Sequence, residues 1–523
     1  MEKTKTYKFT KPYVKRTIWI GLAFFGILLV WQLYNSYCSP MLSFMFAKDA
    51  FADKFELARN YWESTGGRLP GVKDPMKFDI NYLLALTATK PEFGISSADY
   101  LSIQWKVGII MALDNIAALF IMPIFGNLSD KTKTKLGKRI PYIIIGSVVT
   151  AIALPFIPFF FNEGMKDGVA IMGMVAGLIA TMCVVIVFMM SYRSPAVALM
   201  PDLTPKPLRS KANGVINVVG YVGGAIGSVL AMIFALTSHL GGTNADLWSL
   251  EIPFILTSVV LLISLGLLLW NVRENKLHAE LDKEISEADS LGESAEVVTN
   301  KEVKLSKTNI RNLVIILVAE MLWFMSLNAL ETFQTNYAIF HLNTSSAGGI
   351  AMTLISGAAS VVGFLVAGPI ADKIGRKWTI FSGICIVAVC YLIYSFVPSY
   401  IPEDGAITFT NTLPFIFFII LPVIGLGSSL IHMCSFPLVT DYCTSDKLGK
   451  FTSLYYTASM LAQSITPIVG GIIMNKTGAW QALPIYSTIL MAAAGVVFFF
   501  VKAPHKNDKA KNVKGLAALG QDD

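Results

Sequence analysis

Twelve apolar runs, each long enough to cross a bilayer, decide what this chain can fold into. They lie near residues 18–39, 104–128, 141–161, 168–200, 212–237 and 250–271, then near 312–339, 347–371, 378–398, 413–440, 451–474 and 481–501. A helix of about 20 residues spans the hydrocarbon core. In lipid every backbone N–H and C=O must be satisfied within its own element, and runs of this length achieve that only as helices. The composition agrees: 15% of residues are charged and the mean hydropathy is +0.58, whereas a soluble domain carries roughly 25% charge. The expected fold class is an all-α membrane protein of twelve transmembrane helices.

The net charge of +7 is explained by position, which removes the case for a nucleic-acid partner. Basic residues crowd the N-terminal tail (Lys3, Lys5, Lys8, Lys11, Lys15, Arg16) and the connections after spans 2, 4, 8 and 10, while those after spans 5, 7 and 9 have none. Retention of basic loops in the cytoplasm places both termini there and makes the protein a multi-pass component of the plasma or inner membrane. Only the segment 45–100, outside by this count, departs from the pattern, with seven basic and eight acidic residues; long loops translocate largely regardless of charge. The six cysteines (Cys38, Cys183, Cys385, Cys390, Cys434, Cys443) have neither disulfide nor metal spacing. No metal or cofactor is expected, nor any enzyme activity, since no nucleophile, base and orienting group occur together.

A charged segment at 273–308 divides the spans six and six. The expected organisation is a tail over 1–17, a six-helix bundle over 18–272 including the long outer loop, a cytoplasmic linker over 273–308, a second bundle over 309–502, and a tail over 503–523. The halves repeat. "GNLSD" with Asp130 matches "GPIAD" with Asp372, and Asp202 matches Asp441; the offsets are 372 − 130 = 242 and 441 − 202 = 239 residues. The four-residue "KTKT" insertion at 131–134 accounts for the difference of 242 − 239 = 3 to within one residue.

These loops resemble the pattern G-x-x-x-D-x-x-G-[RK]-[RK] of the major facilitator superfamily, in the second half as Gly368, Asp372, Gly375, Arg376 and Lys377. The first copy, Gly126, Asp130, Gly137, Lys138 and Arg139, has a longer Asp-to-Gly spacing. That form is similar to the sucrose/proton symporters and the glycoside-pentoside-hexuronide cation symporters, as are "YRSPAVALMPDLTPKPLRSKANG" at 192–214 and "NALETF" at 328–333. The resemblance implies the two-bundle major facilitator fold and a cytoplasmic gate in which these loop residues and Asp202 clasp the halves when that side is shut.

Ionised groups inside spans are costly, roughly 2.5–3.5 kcal/mol each even on the mild insertion scale, so each one marks a candidate site. Asp114 lies twelve residues before Gly126, and Arg193 nine before Asp202. At about 1.5 Å per residue their depths differ by less than an arginine's reach, and the expectation is that they pair, directly or through water. Span 7 offers Glu320 and Glu331 on one face, with Trp323, Asn328 and Thr335. Depth favours Glu320 for proton coupling; the resemblance of "NALETF" favours Glu331. Polar stripes of helical period add candidate substrate ligands: Gln32, Asn35, Ser36 and Ser39; Asn213, Asn217 and Tyr221; Ser428, His432 and Ser435; Tyr455, Ser459, Gln463 and Thr466. Trp31, Tyr34 and Trp323 offer flat apolar platforms.

A polar path without clustered charge suits a neutral polyhydroxyl solute. The functional expectation is a monomeric secondary transporter, embedded in the lipid bilayer, that carries a small neutral sugar, a glycoside or disaccharide such as sucrose or maltose, with a coupling proton. Transport would follow from rocking the halves about a site at mid-depth. Sodium coupling, an amphipathic lipid or drug as cargo, and a sensor that binds sugar without carrying it are the competing readings.

Overall fold

The computed structural model describes residues 10–70, 72, 75–205, 208–237, 250–281, 307–399, 413–442 and 448–502. The tail before residue 10, most of the expected linker, the C-terminal tail and Cys443 lie outside them.

Among the described residues, twelve helices are long and apolar enough to span a membrane. They are α1 (Lys11–Ala50), α2 (Gln104–Lys131), α3 (Ile140–Met165, broken at Leu154–Pro155), α4 (Ile171–Asp202), α5 (Arg209–Ile233) and α6 (Glu251–Asn271). The second set is α7 (Lys307–Phe340), α8 (Ser346–Ile374), α9 (Arg376–Ser395), α10 (Phe415–Tyr442), α11 (Leu448–Thr477) and α12 (Ala482–Phe499). The 40 residues of α1 reach about 60 Å at 1.5 Å per residue, twice the hydrocarbon thickness of about 30 Å. The helix therefore continues well past the apolar run that reveals it.

Packing repeats with a period of six helices. α1 packs on α5 and α6, α2 on α4, and α3 on α4 and α6; correspondingly α7 packs on α11 and α12, α8 on α10, and α9 on α10 and α12. Two six-helix bundles result. They meet chiefly along α2 with α11 and along α5 with α8, a symmetric pair of seams. Glycines make the first seam tight: a Cβ on Gly108 would lie 2.1 Å from the Pro467 carbonyl oxygen, and one on Gly471 2.5 Å from that of Gln104.

The even number of spans among the described residues puts residues 10 and 502 on one side, here the terminal face. The long segment on the opposite face is folded. Helices Ala52–Thr65, Ile80–Thr89 and Ser97–Ser102 surround a small core of Ala58, Leu69, Met76, Tyr82, Leu83, Ala85 and Leu86. It is anchored to the first bundle by an Arg59–Asp167 ion pair, beside which Lys48, near the end of α1, donates from Nζ to the carbonyls of Gly164 (3.0 Å) and Lys166 (2.7 Å). Every hydrogen bond between described residues that joins the two bundles lies toward this opposite face: Ser97 Oγ to the Phe340 carbonyl, Trp480 Nε1 to Ser97 Oγ, a reciprocal Thr237–Ser346 pair, and a cluster around Asn336.

Candidate functional site

A polar cavity lies between the bundles, lined by Trp31, Asn35, Met111, Asp114, Asn115, Asn328, Glu331, Thr332 and Gln463. Helical period assembles it. Trp31 and Asn35 are one turn apart on α1; Met111, Asp114 and Asn115 share a face of α2, and Asn328, Glu331 and Thr332 the matching face of α7, at spacings of three and four. α11 adds Gln463. Among the described residues, the hydrogen bonds that join the bundles lie on the opposite-face side of this cavity.

Asp114 is 4% exposed, and its Oδ1 accepts from the Asn115 side chain at 2.8 Å and from the Asn115 backbone N–H at 2.5 Å. Glu331 is exposed, and the space it is exposed to is this cavity. Asp114 lies within electrostatic reach of both Glu331 and Arg193. Arg193 does not line the cavity and makes no ion pair with Asp114 within 4.0 Å, so the direct pairing expected from their depths is absent in this conformation. Asn328 is 8% exposed, and its Oδ1 has no hydrogen-bond partner. An acceptor at a cavity wall is open to a donor from solvent or from a ligand. Trp31 stacks on Tyr34 with ring centroids 6.1 Å apart and offers an aromatic wall.

Other expected ligands lie off the cavity. Glu320 is fully buried, with neither carboxyl oxygen hydrogen-bonded. Trp323 is fully buried with its ring against Phe498, and His432 sits with its ring 5.2 Å from Phe324. Below Asn328 the polar stripe of α7 turns into the bundle interior, where Ser326 donates to the Ser487 carbonyl of α12 at 2.6 Å. Gln32, Asn217 and Tyr221 are not among the lining residues either; Asn217 and Tyr221 are exposed on α5.

On the terminal face the loop motifs hold their own bundles together. Arg139, 5% exposed, donates from Nε to Asp202 (2.9 Å), from Nη1 to Ser129 Oγ (2.5 Å) and to the Gly126 carbonyl (3.5 Å), and from Nη2 to Asp130. Burial opposes its charge, but the carboxylates of Asp202 and Asp130 outweigh that and hold the guanidinium firmly ionised. Lys138 Nζ adds a contact to Asp202 at 3.2 Å. Arg376 repeats the arrangement, donating to Asp441 at 2.6 Å and to the Pro437 carbonyl at 3.3 Å. Lys377 Nζ donates to the Phe499 carbonyl at 3.0 Å, and Gly375 (φ 86°) caps the end of α8. Nothing lies within 4 Å of a Cβ built on Gly368, and Asp372 makes no ion pair with a described residue. None of these pairs crosses between bundles, so among the described residues the motifs form no clasp between the halves.

A family model described as the Major Facilitator Superfamily matches residues 78–402 and 313–520. The chain belongs to the Major Facilitator Superfamily. This major facilitator is 24% identical over 403 residues to the sucrose transport protein SUC4 of Arabidopsis thaliana, covering 71% of this chain and 76% of that protein. It is 31% identical over 147 residues to a bicyclomycin resistance protein homolog of Haemophilus influenzae, covering 28% of this chain and only 33% of that protein. A solved D-xylose-proton symporter superposes with a TM-score of 0.60 over 94% of this chain and 98% of its own, at 12% identity, which is a likeness of fold. The protein is a multi-pass membrane transporter and not an enzyme.

Sequence reasoning missed four contributors: Met111, Asn115 and Thr332 in the cavity wall, and Glu274. Asn115 and Thr332 each directly follow a residue it singled out, and the four-residue period was their signal. Glu274 had none. This carboxylate, 2% exposed, follows α6 and accepts from the backbone N–H of Lys138 (3.0 Å), Arg139 (3.0 Å) and Ile140 (3.1 Å), capping α3 beside the motif.

Proposed function

We propose that this major facilitator is a symporter that carries a small neutral sugar, a glycoside or disaccharide, together with a proton. The observation that carries the reading is one cavity walled by amides, a hydroxyl and an aromatic face, into which each bundle contributes a single carboxylate: Asp114 from the first and Glu331 from the second. Asn35, Asn115, Asn328, Thr332 and Gln463 supply donors and acceptors for several hydroxyl groups, and Trp31 a flat surface for a sugar's C–H face. Asp114 exchanges the proton, with Arg193 of the same bundle nearby; Glu331 senses the same event across the bundle interface. The names of the sucrose transport protein and the xylose–proton symporter support the same class of cargo. One charge moved through 100 mV is worth about 2.3 kcal/mol, and about 1.4 kcal/mol is tenfold, so one proton sustains roughly fortyfold accumulation.

Purified protein in liposomes, offered sucrose, maltose and xylose under an imposed pH gradient with acid on the uptake side, should accumulate one of them above equilibrium. A sodium gradient at fixed pH serves as comparison. Uptake driven by sodium and indifferent to the pH gradient would replace the proton; absence of uptake of any glycoside would remove the sugar.

A further inference from the structure

We propose that Asn336, Gln104, Ser39 and Ser43 form the gate that closes the cavity against the opposite face, with the Asn336 side chain as its keystone. The proposal rests on alternating access by a transporter of this fold and not on sugar or proton as cargo.

Three helices each carry a cavity residue and then, nearer the opposite face, a member of this cluster. On α1 the order is Asn35, Ser39, Ser43, one turn per step. On α7 Asn336 stands one turn beyond Thr332, and on α2 Gln104 stands two turns beyond Met111. A turn rises about 5.4 Å, so the cluster is the cavity's roof. α7 belongs to the second bundle and the other two helices to the first, so opening the roof means breaking this cluster. Asn336 Nδ2 lies 2.9 Å from Gln104 Oε1, 2.9 Å from Ser43 Oγ and 3.1 Å from Ser39 Oγ; Gln104 Nε2 reaches Ser43 Oγ at 3.3 Å and the Tyr100 carbonyl at 2.9 Å. Asn336, Gln104 and Ser43 are fully buried and Ser39 nearly so.

The chemistry fits a latch better than permanent glue. An amide nitrogen has two hydrogens, so three acceptors compete for them, while Asn336 Oδ1 has no partner. A buried network that satisfies only part of its capacity holds less tightly than a complete one. Beside it Gly108 and Gly471 bring α2 and α11 into backbone contact, leaving no bulky side chains to be disentangled when the seam parts.

The test measures access. In a cysteine-free background, Met111→Cys reports on the cavity, and a membrane-impermeant maleimide is applied only to the face that carries the 45–100 segment. Asn336→Ala and Gln104→Ala should each raise the labelling rate at least about tenfold, the effect of about 1.4 kcal/mol on the open population, and the double variant should fall short of the product because both remove one network. A second arm survives any loss of stability: Ser43→Cys with Asn336→Cys should oxidise to a bridge that abolishes labelling until it is reduced. Unchanged labelling in Asn336→Ala, a bridge that does not form, or labelling that continues with the bridge in place would each overturn the gate. Neither arm uses sugar or a proton gradient, so failure here leaves the cargo reading untouched.

Discussion

Asp114 of α2 and Glu331 of α7 line one cavity from different bundles, within electrostatic reach of each other. A carrier that rocks its bundles changes their separation, and thereby the cost of holding both carboxylates ionised. In the symport we propose, that geometry is what would couple protonation to conformation.

Glu320, fully buried and without a hydrogen-bond partner, lies off the cavity. An ionised carboxylate without partners in such a place costs several kcal/mol, so the neutral Glu320→Gln should change gradient-driven accumulation by less than about twofold and leave thermal stability equal or higher. Loss of coupling in this variant would move the proton site to Glu320.

Asn328 should read a substrate hydroxyl through its orphaned Oδ1. Asn328→Ala is expected to weaken sugar binding about tenfold, since a hydrogen bond contributes about 1.4 kcal/mol or less. The sugar concentration that gives half the maximal thermal shift measures it.

His341, between α7 and α8 on the opposite face, is pushed below its ordinary 6.5 by burial, with a hydrogen bond to the Val397 carbonyl opposing. Between its lowered value and 6.5 the folded protein therefore binds fewer protons than the unfolded chain. Stability is full above 6.5 and declines as pH falls through that window. His341→Gln should flatten the melting temperature's dependence on pH from about 7 to about 5.

Gly137 has φ +123°, and a Cβ there would lie 2.1 Å from Glu274 Oε2. Gly137→Ala should cost on the order of 2 kcal/mol through strain. Glu274→Ala, which strips three backbone N–H groups of their acceptor, should cost about 1–3 kcal/mol. Combined, they should fall short of the sum, because both disturb one contact; thermal unfolding in detergent checks all three.

The spans were legible because lipid leaves the chain no other structure, and Asp114, Asn35, Asn328, Glu331 and Gln463 because polarity inside a span needs a cause. The ends of α1 were not, since beyond the bilayer hydropathy no longer marks a helix. Period alone put Trp323 and Glu320 on the face of Glu331. Which part of that face meets the cavity and which meets α12 is decided by a neighbour more than a hundred residues away in sequence. Glu274 caps α3 from equally far away, and no local pattern announces it. The Asn336 cluster was half visible: Ser39 belonged to a recognised stripe, whereas Gln104 and Asn336 sit at span ends, where polar residues are ordinary.

The most direct test compares accumulation with exchange in Asp114→Asn and Glu331→Gln. Liposomes loaded with the transported sugar should still exchange it for external labelled sugar in both variants, while a pH gradient should no longer drive accumulation beyond equilibrium in either. Full gradient-driven accumulation in both variants would contradict proton coupling through this cavity.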